Sequence, residues 1–310
     1  MTTTKLFRFL TTAAAAAMLA LPASGTLLVY EPFDYEPALS PDDYPTSDYN
    51  TSQPASLHGK GNGVGMSGTW ADAADTGTAM WLAEGSLAFG DLPTTGNHIR
   101  HQSNRLDDRY HRTLTADLAD SAELWISFLA NKLQSTGWGA EREGIAIANQ
   151  VLSSSQLNVN AGGGLQGFGL GWDEGENGWR AYGWDGTDRI EGDDSFGVAR
   201  NGTETNLLFG RIQFNAGADG KDIFTVYHYN RDFAEGTVTA DMGNLVAFGS
   251  LEVDVDESLL GTLNVTRQVN TAYDEIRIGT SLASVIPEPS TTGLLAVFGV
   301  AALLRRRLRR

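Results

Sequence analysis

The stretch Glu123–Asn131 reads ELWISFLAN. Leu124, Ile126, Phe128 and Ala130 alternate with Trp125, Ser127 and Leu129. Successive side chains of a strand point to opposite faces, so this alternation predicts a strand that buries one face. The same pattern extends in both directions. Thr26–Tyr35 is a short strand candidate that ends in a turn. Gly144–Asn149 (GIAIAN) and Gln156–Ala161 (QLNVNA) follow, and Gly162, Gly163 and Gly164 read as a hairpin turn. Trp179–Trp184, Asn206–Asn215, Asp222–Asn230, Leu245–Val255 and Ala272–Gly279 continue the series. In the second of these, Leu208, Ile212 and Phe214 share a face. No stretch between the two chain ends holds a helical period for three turns. Residues 31–56 hold Pro32, Pro37, Pro41, Pro45 and Pro54 and are expected to be loop. Gly59–Gly68 (GKGNGVGMSG) lacks the flanking strand, helix and Lys-Ser/Thr of a phosphate loop, so it reads as a turn-rich connection. The expected class is all-β, an antiparallel β-sandwich.

In order along the chain come Glu31-Pro-Phe-Asp-Tyr35, a Gly-rich stretch reaching Gly68-Thr-Trp70, ELWISFLAN, LLFGRIQF and a closing YDEIRIGTS. This order resembles the concanavalin A-like (laminin-G-like) jelly-roll domains common in PEP-CTERM proteins of Planctomycetes and Verrucomicrobia. The resemblance implies one jelly-roll domain over residues 26–285. The functions of that family run from sugar binding to hydrolysis to none known, so the fold alone selects no activity.

The two ends have their own signatures. Residues 1–25 combine Lys5 and Arg8, an apolar core Phe9–Leu21, and small residues Ala23, Ser24 and Gly25, which is the pattern of a secretory signal peptide. Residues 286–310 place Pro287, Glu288 and Pro289 before an apolar run, Gly293–Leu304, and then Arg305, Arg306, Arg307, Arg309 and Arg310. Two prolines keep the triplet extended and readable by another protein. The apolar run can enter a bilayer as a short helix, although it is shorter than the ~20 residues that span one. The arginines resist translocation and hold the terminus in the cytoplasm. This tail resembles the PEP-CTERM sorting signal of Gram-negative bacteria. The resemblance implies recognition by exosortase, a membrane-embedded cysteine protease, transient membrane insertion, removal of the tail and delivery to the cell surface or extracellular matrix.

Between the ends, the charge is strongly acidic. Setting aside Lys5, Arg8 and the five tail arginines reduces the 22 basic side chains to 15, and setting aside Glu288 reduces the 38 acidic ones to 37, leaving a net charge near −22. Such a surface repels nucleic acid and anionic lipid and favours cations or neutral ligands. There is no cysteine, so core burial must hold the exported body together without disulfides.

Three stretches carry candidate chemistry. Glu252, Asp254 and Glu257 fit the E-x-D-x-x-E signature of family 16 glycoside hydrolases, which resemblance implies a nucleophile, a helper and an acid/base in that order. Asp256 adds a fourth carboxyl, no tryptophan follows Trp184 to form a sugar platform, and Val253 and Val255 alternate with the acids as in a half-buried strand. Trp172, Trp179, Tyr182 and Trp184 offer aromatic faces on which pyranose rings could stack, or else sandwich core. Asp185, Asp188, Asp193 and Asp194 are hard oxygen donors on one acidic loop, a candidate calcium site. The five histidines form no zinc spacing, and no G-x-S-x-G elbow occurs. The reading that follows is a non-enzymatic surface protein without a resident cofactor. A carbohydrate-binding module and a β-glucanase are its alternatives.

Overall fold

The computed structural model describes residues 25–43, 51–73, 80–100, 108–132, 142–153, 157, 159–173, 178–197, 204–230, 237–267 and 271–286. The signal peptide and the sorting tail, with Pro287, Glu288, Pro289 and the five arginines, lie outside the described residues. Among the described residues no helix is long and apolar enough to cross a membrane.

Among the described residues, two antiparallel sheets make up the body. The first has the order β14 (Leu245–Val253), β13 (Asp222–Tyr229), β12 (Thr205–Gln213), β6 (Glu123–Lys132), β16 (Thr271–Gly279), β4 (His98–Arg100) and β3 (Trp81–Ala83). A short β1 (Leu27–Glu31) also pairs with β16, with Leu27 opposite Gly279. The second runs β10 (Arg189–Glu191), β9 (Gly178–Asp185), β8 (Gln166–Asp173), β7 (Arg142–Ala148), β15 (Thr262–Arg267), β5 (Asp108–Leu114) and β2 (Met66–Asp72), with β11 (Phe196–Gly197) on β9.

The ELWISFLAN strand is β6, and it lies at the centre of the first sheet. It pairs with β12 through Phe128 and Leu208 and with β16 through Ala130 and Tyr273. Leu124, Ile126, Phe128 and Ala130 enter the main core, as the alternation requires, together with Leu208, Ile212 and Phe214. The two sheets meet through ring contacts. Phe128 sits edge-on to Trp179 of β9 at 6.2 Å, and Phe168 of β8 lies 5.5 Å from Phe224 of β13.

The expectation that each strand buries only one face does not hold. The outward side chains Trp125, Leu129, Leu207, Phe209 and Tyr229 form a second core. Leu87, Phe89 and Leu92 cover it, with Val238 and a one-turn helix α1 (Leu282–Val285). A capping box between Ser281 and Ser284 starts α1, and Ser127 Oγ donates to Val285 O at 2.7 Å. A third cluster covers the outside of the second sheet, where Leu152, Leu157, Ala161 and Leu165 pack on Ala146, Ala148, Tyr182 and Trp184.

That third cluster corrects one predicted strand. The described residues of Gln156–Ala161 are not in a strand, and Leu157 and Ala161 instead lie buried on the outside of the sheet. Gly144 and Gly171 make the close approach possible, because a Cβ on Gly171 would fall 2.4 Å from Leu157 Cδ1. The Gly162–Gly164 turn is present, but it leads from this covering segment into β8 rather than joining two strands.

Candidate functional site

The acidic run lies at the edge of the first sheet. Glu252 is exposed on β14, an outermost strand, and Asp254 follows it, also exposed, while Val253 and Val255 are buried. Backbone bonds fix the segment's path, since Val255 N donates to Asp222 Oδ2 and Asp256 N to Gln166 Oε1. Asp256 then caps a single 3-10 turn, Glu257–Leu259, its Oδ1 accepting from Ser258 N at 3.1 Å. Glu252, Asp254 and Glu257 therefore ride on a half-buried strand end and a surface turn. Beneath them the Asp222 carboxyl is held above its ordinary range, first by burial, with smaller contributions from Glu257 and Asp254.

The aromatic platform needs correction. Trp172, Trp179, Tyr182 and Trp184 are each fully buried, so none offers a ring face to a sugar. Trp172 and Trp179 pack edge to face at 5.7 Å in the main core. Tyr182 and Trp184 belong to the outer cluster, where the Tyr182 hydroxyl donates to Asp173 Oδ2 and Trp184 Nε1 donates to Val159 O at 2.9 Å. Asp173 also lies 3.5 Å from Arg180 Nη1, so an acid that could have held a hydroxyl is occupied within the fold.

The calcium set does not converge either. Asp185 Oδ1 accepts from Thr187 N and Asp188 N at 2.8 and 2.6 Å, closing a turn on itself. Asp194 Oδ1 accepts from Ser195 N, and Asp188, Asp193 and Asp194 are exposed. Among the described residues no three His, Asp or Glu side chains come together as a metal-holding group. Asp185, Asp188, Asp193 and Asp194 therefore do not form a cation cage in the described structure.

Among the described residues the structure instead shows buried charge clusters that the sequence pattern did not reveal, of which three stand out. Glu31 lies fully buried between the sheets and accepts from Phe33 N, the Tyr35 hydroxyl, Trp70 Nε1 and Arg112 Nη1. Burial raises its carboxyl above the ordinary range, and these four donors oppose the rise. The second cluster depends on an irregularity in β16. The register shifts between Asp274 and Arg277, and Glu275 sits at φ 53°, a strained conformation for a side-chain-bearing residue. That bulge brings two adjacent carboxylates to the covering segment. Asp274 Oδ2 accepts from Leu87 N, and Glu275 Oε1 accepts from Thr95 N and the Tyr30 hydroxyl. Arg277 completes the group, 2.8 Å from Glu275 Oε2 and 4.0 Å above the Tyr30 ring. Burial, joined by the charge of Glu275, holds Asp274 well above its usual range. The third cluster pairs Lys132 of β6 with Glu143 of β7. Each partner is ordinary in its own strand, and only the fold brings them together.

No family model and no curated protein matches this chain. Solved structures show distant likeness. The exoplasmic/lumenal domain of VIP36 in a Ca2+/Man3GlcNAc-bound form is 10% identical with a TM-score of 0.36, over 62% of this chain and 81% of that one. A legume lectin-like domain from Entamoeba histolytica is 10% identical with a TM-score of 0.36, over 61% and 86%. An endo-beta-1,4-glucuronan lyase from the fungus Trichoderma reesei is 12% identical with a TM-score of 0.35, over 71% and 98%. At these TM-scores the likenesses carry no argument about what this chain binds or does.

Proposed function

We propose that this chain is an exported, surface-sorted, non-enzymatic component of a bacterial envelope or extracellular matrix. The observation that carries the reading is the order at residues 286–310: Pro287-Glu288-Pro289, the apolar run Gly293–Leu304, then the arginines. In this reading residues 1–25 direct export and are removed. The tail enters the inner membrane as a short helix, stops at its arginines, and is cut by exosortase at the Pro-Glu-Pro region. The body, a concanavalin A-like jelly roll, then reaches the surface. Two features support a structural role for it. Both sheets carry covering segments on their outer faces, and the aromatic and acidic candidates serve the core and the surface turns. Its acidic charge fits a neutral extracellular polysaccharide as partner rather than nucleic acid.

The test is sorting. Pro287→Ala with Glu288→Ala should leave the protein exported but retained in the membrane with its tail attached. Normal surface delivery and tail loss in that double variant would overturn the reading.

A further inference from the structure

Lys132 ends β6 and Glu143 is the second residue of β7, so the two belong to different sheets. Both have the inward parity of their strands. Lys132 continues the series Leu124, Ile126, Phe128 and Ala130, and Glu143 precedes Ile145 and Ile147. They meet between the sheets with Nζ 2.5 Å from Oε1 and side chains 1% and 0% exposed. Thr271 Oγ1 donates to the same Oε1, and Nζ lies 5.6 Å from the centre of the Trp172 ring. An ion pair buried this completely gains little over an apolar pair, because both charges have lost their water. One proton passing along the contact turns ammonium and carboxylate into amine and carboxylic acid. Those are the nucleophile and electrophile of an amide condensation, held in contact and away from solvent.

We propose that Lys132 and Glu143 form an intramolecular amide that joins the two sheets. The Nζ lone pair attacks Cδ of the Glu143 acid, whose carbonyl oxygen, Oε2, takes the developing negative charge. As the tetrahedral centre collapses, the C–Oε1 bond breaks, eased by the Thr271 hydroxyl that donates to Oε1, and the proton lost by nitrogen joins the departing hydroxyl. One C–N bond forms, one water leaves, and no oxidant or external group is needed. In a chain with no cysteine this bond supplies a covalent tie that reducing conditions do not open.

Peptide mapping of the folded full chain tests the bond. Trypsin should fail to cut after Lys132 and should return residues 113–142 joined through the Lys132 side chain to residues 143–180, one water lighter than the two together. Lys132→Met and Glu143→Leu should each remove the joined species. Thr271→Val, which keeps both reactants, should give a smaller joined fraction at equal time after synthesis. Recovery of separate peptides 113–132 and 143–180 at full mass from folded wild-type protein would overturn the proposal and leave an ordinary ion pair. Should either single variant fail to fold, the wild-type map decides alone.

Discussion

Arg112 reaches Glu31 across the gap between the sheets, Nη1 to Oε2 at 3.0 Å, with side chains 3% and 0% exposed. Removing one member of such a pair strands the other charge without water. Arg112→Met should therefore cost about 3–5 kcal/mol in urea unfolding, the usual range for breaking a buried pair from one side. A loss below about 1 kcal/mol would mean that the Tyr35 and Trp70 donors satisfy Glu31 by themselves.

The last strand makes a purely apolar case. Ile276 and Ile278 are both fully buried in the main core. Alanine at either position should cost about 2–5 kcal/mol by equilibrium denaturation, the range for deleting a buried branched side chain. Losses under about 1 kcal/mol at both would place β16 outside the core.

How far these contacts could be read in advance depends on their range along the chain. The inward face of β6 was legible because a period of two needs only neighbouring residues. The burial of its other face was not, since Trp125 and Leu129 are covered by Leu87, Phe89 and α1, which are distant in sequence. Trp184 stayed open between platform and core for a related reason. An aromatic on an outward position reads as a platform until Leu157 and Ala161 are known to lie over it. The paired charges were silent, because Glu31 and Arg112 stand 81 residues apart and neither strand pattern marks the other.

A pH dependence follows from Asp274. Its folded carboxyl is held well above the ordinary 3.8 by burial, so between 3.8 and that raised value the folded state binds more protons than the unfolded one. Stability contributed by this group is present at low pH and is lost as pH rises through that interval. Asp274→Asn should flatten this part of the stability profile, whatever it costs in absolute stability. An unchanged slope in urea midpoints measured from acid to neutral pH would refute the assignment.

The covering segment on the second sheet can be tested through its glycines. A Cβ on Gly171 would fall 2.3 Å from Glu143 O as well as 2.4 Å from Leu157 Cδ1. The first neighbour is backbone and cannot rotate away. Gly171→Ala should destabilise by about 1–3 kcal/mol, the cost of overpacking, and thermal unfolding would read it. A neutral result would show that neither the Glu143 backbone nor Leu157 closes on Gly171 as tightly as described.

The two ends of the body leave it side by side. Leu27 faces Gly279, Thr26 N donates to Thr280 Oγ1, and Thr280 N donates back to Thr26 O. Tension drawn between those ends would load the β1–β16 ladder from one end, parting its rungs in turn instead of shearing them all together. Few bonds would carry the force at any moment, so β1 should peel away at low load. A pull through the C-terminal end alone enters elsewhere, through α1, which is seated on β6 in the middle of the first sheet. As an anchor point, the C-terminal connection is thus the mechanically sound one.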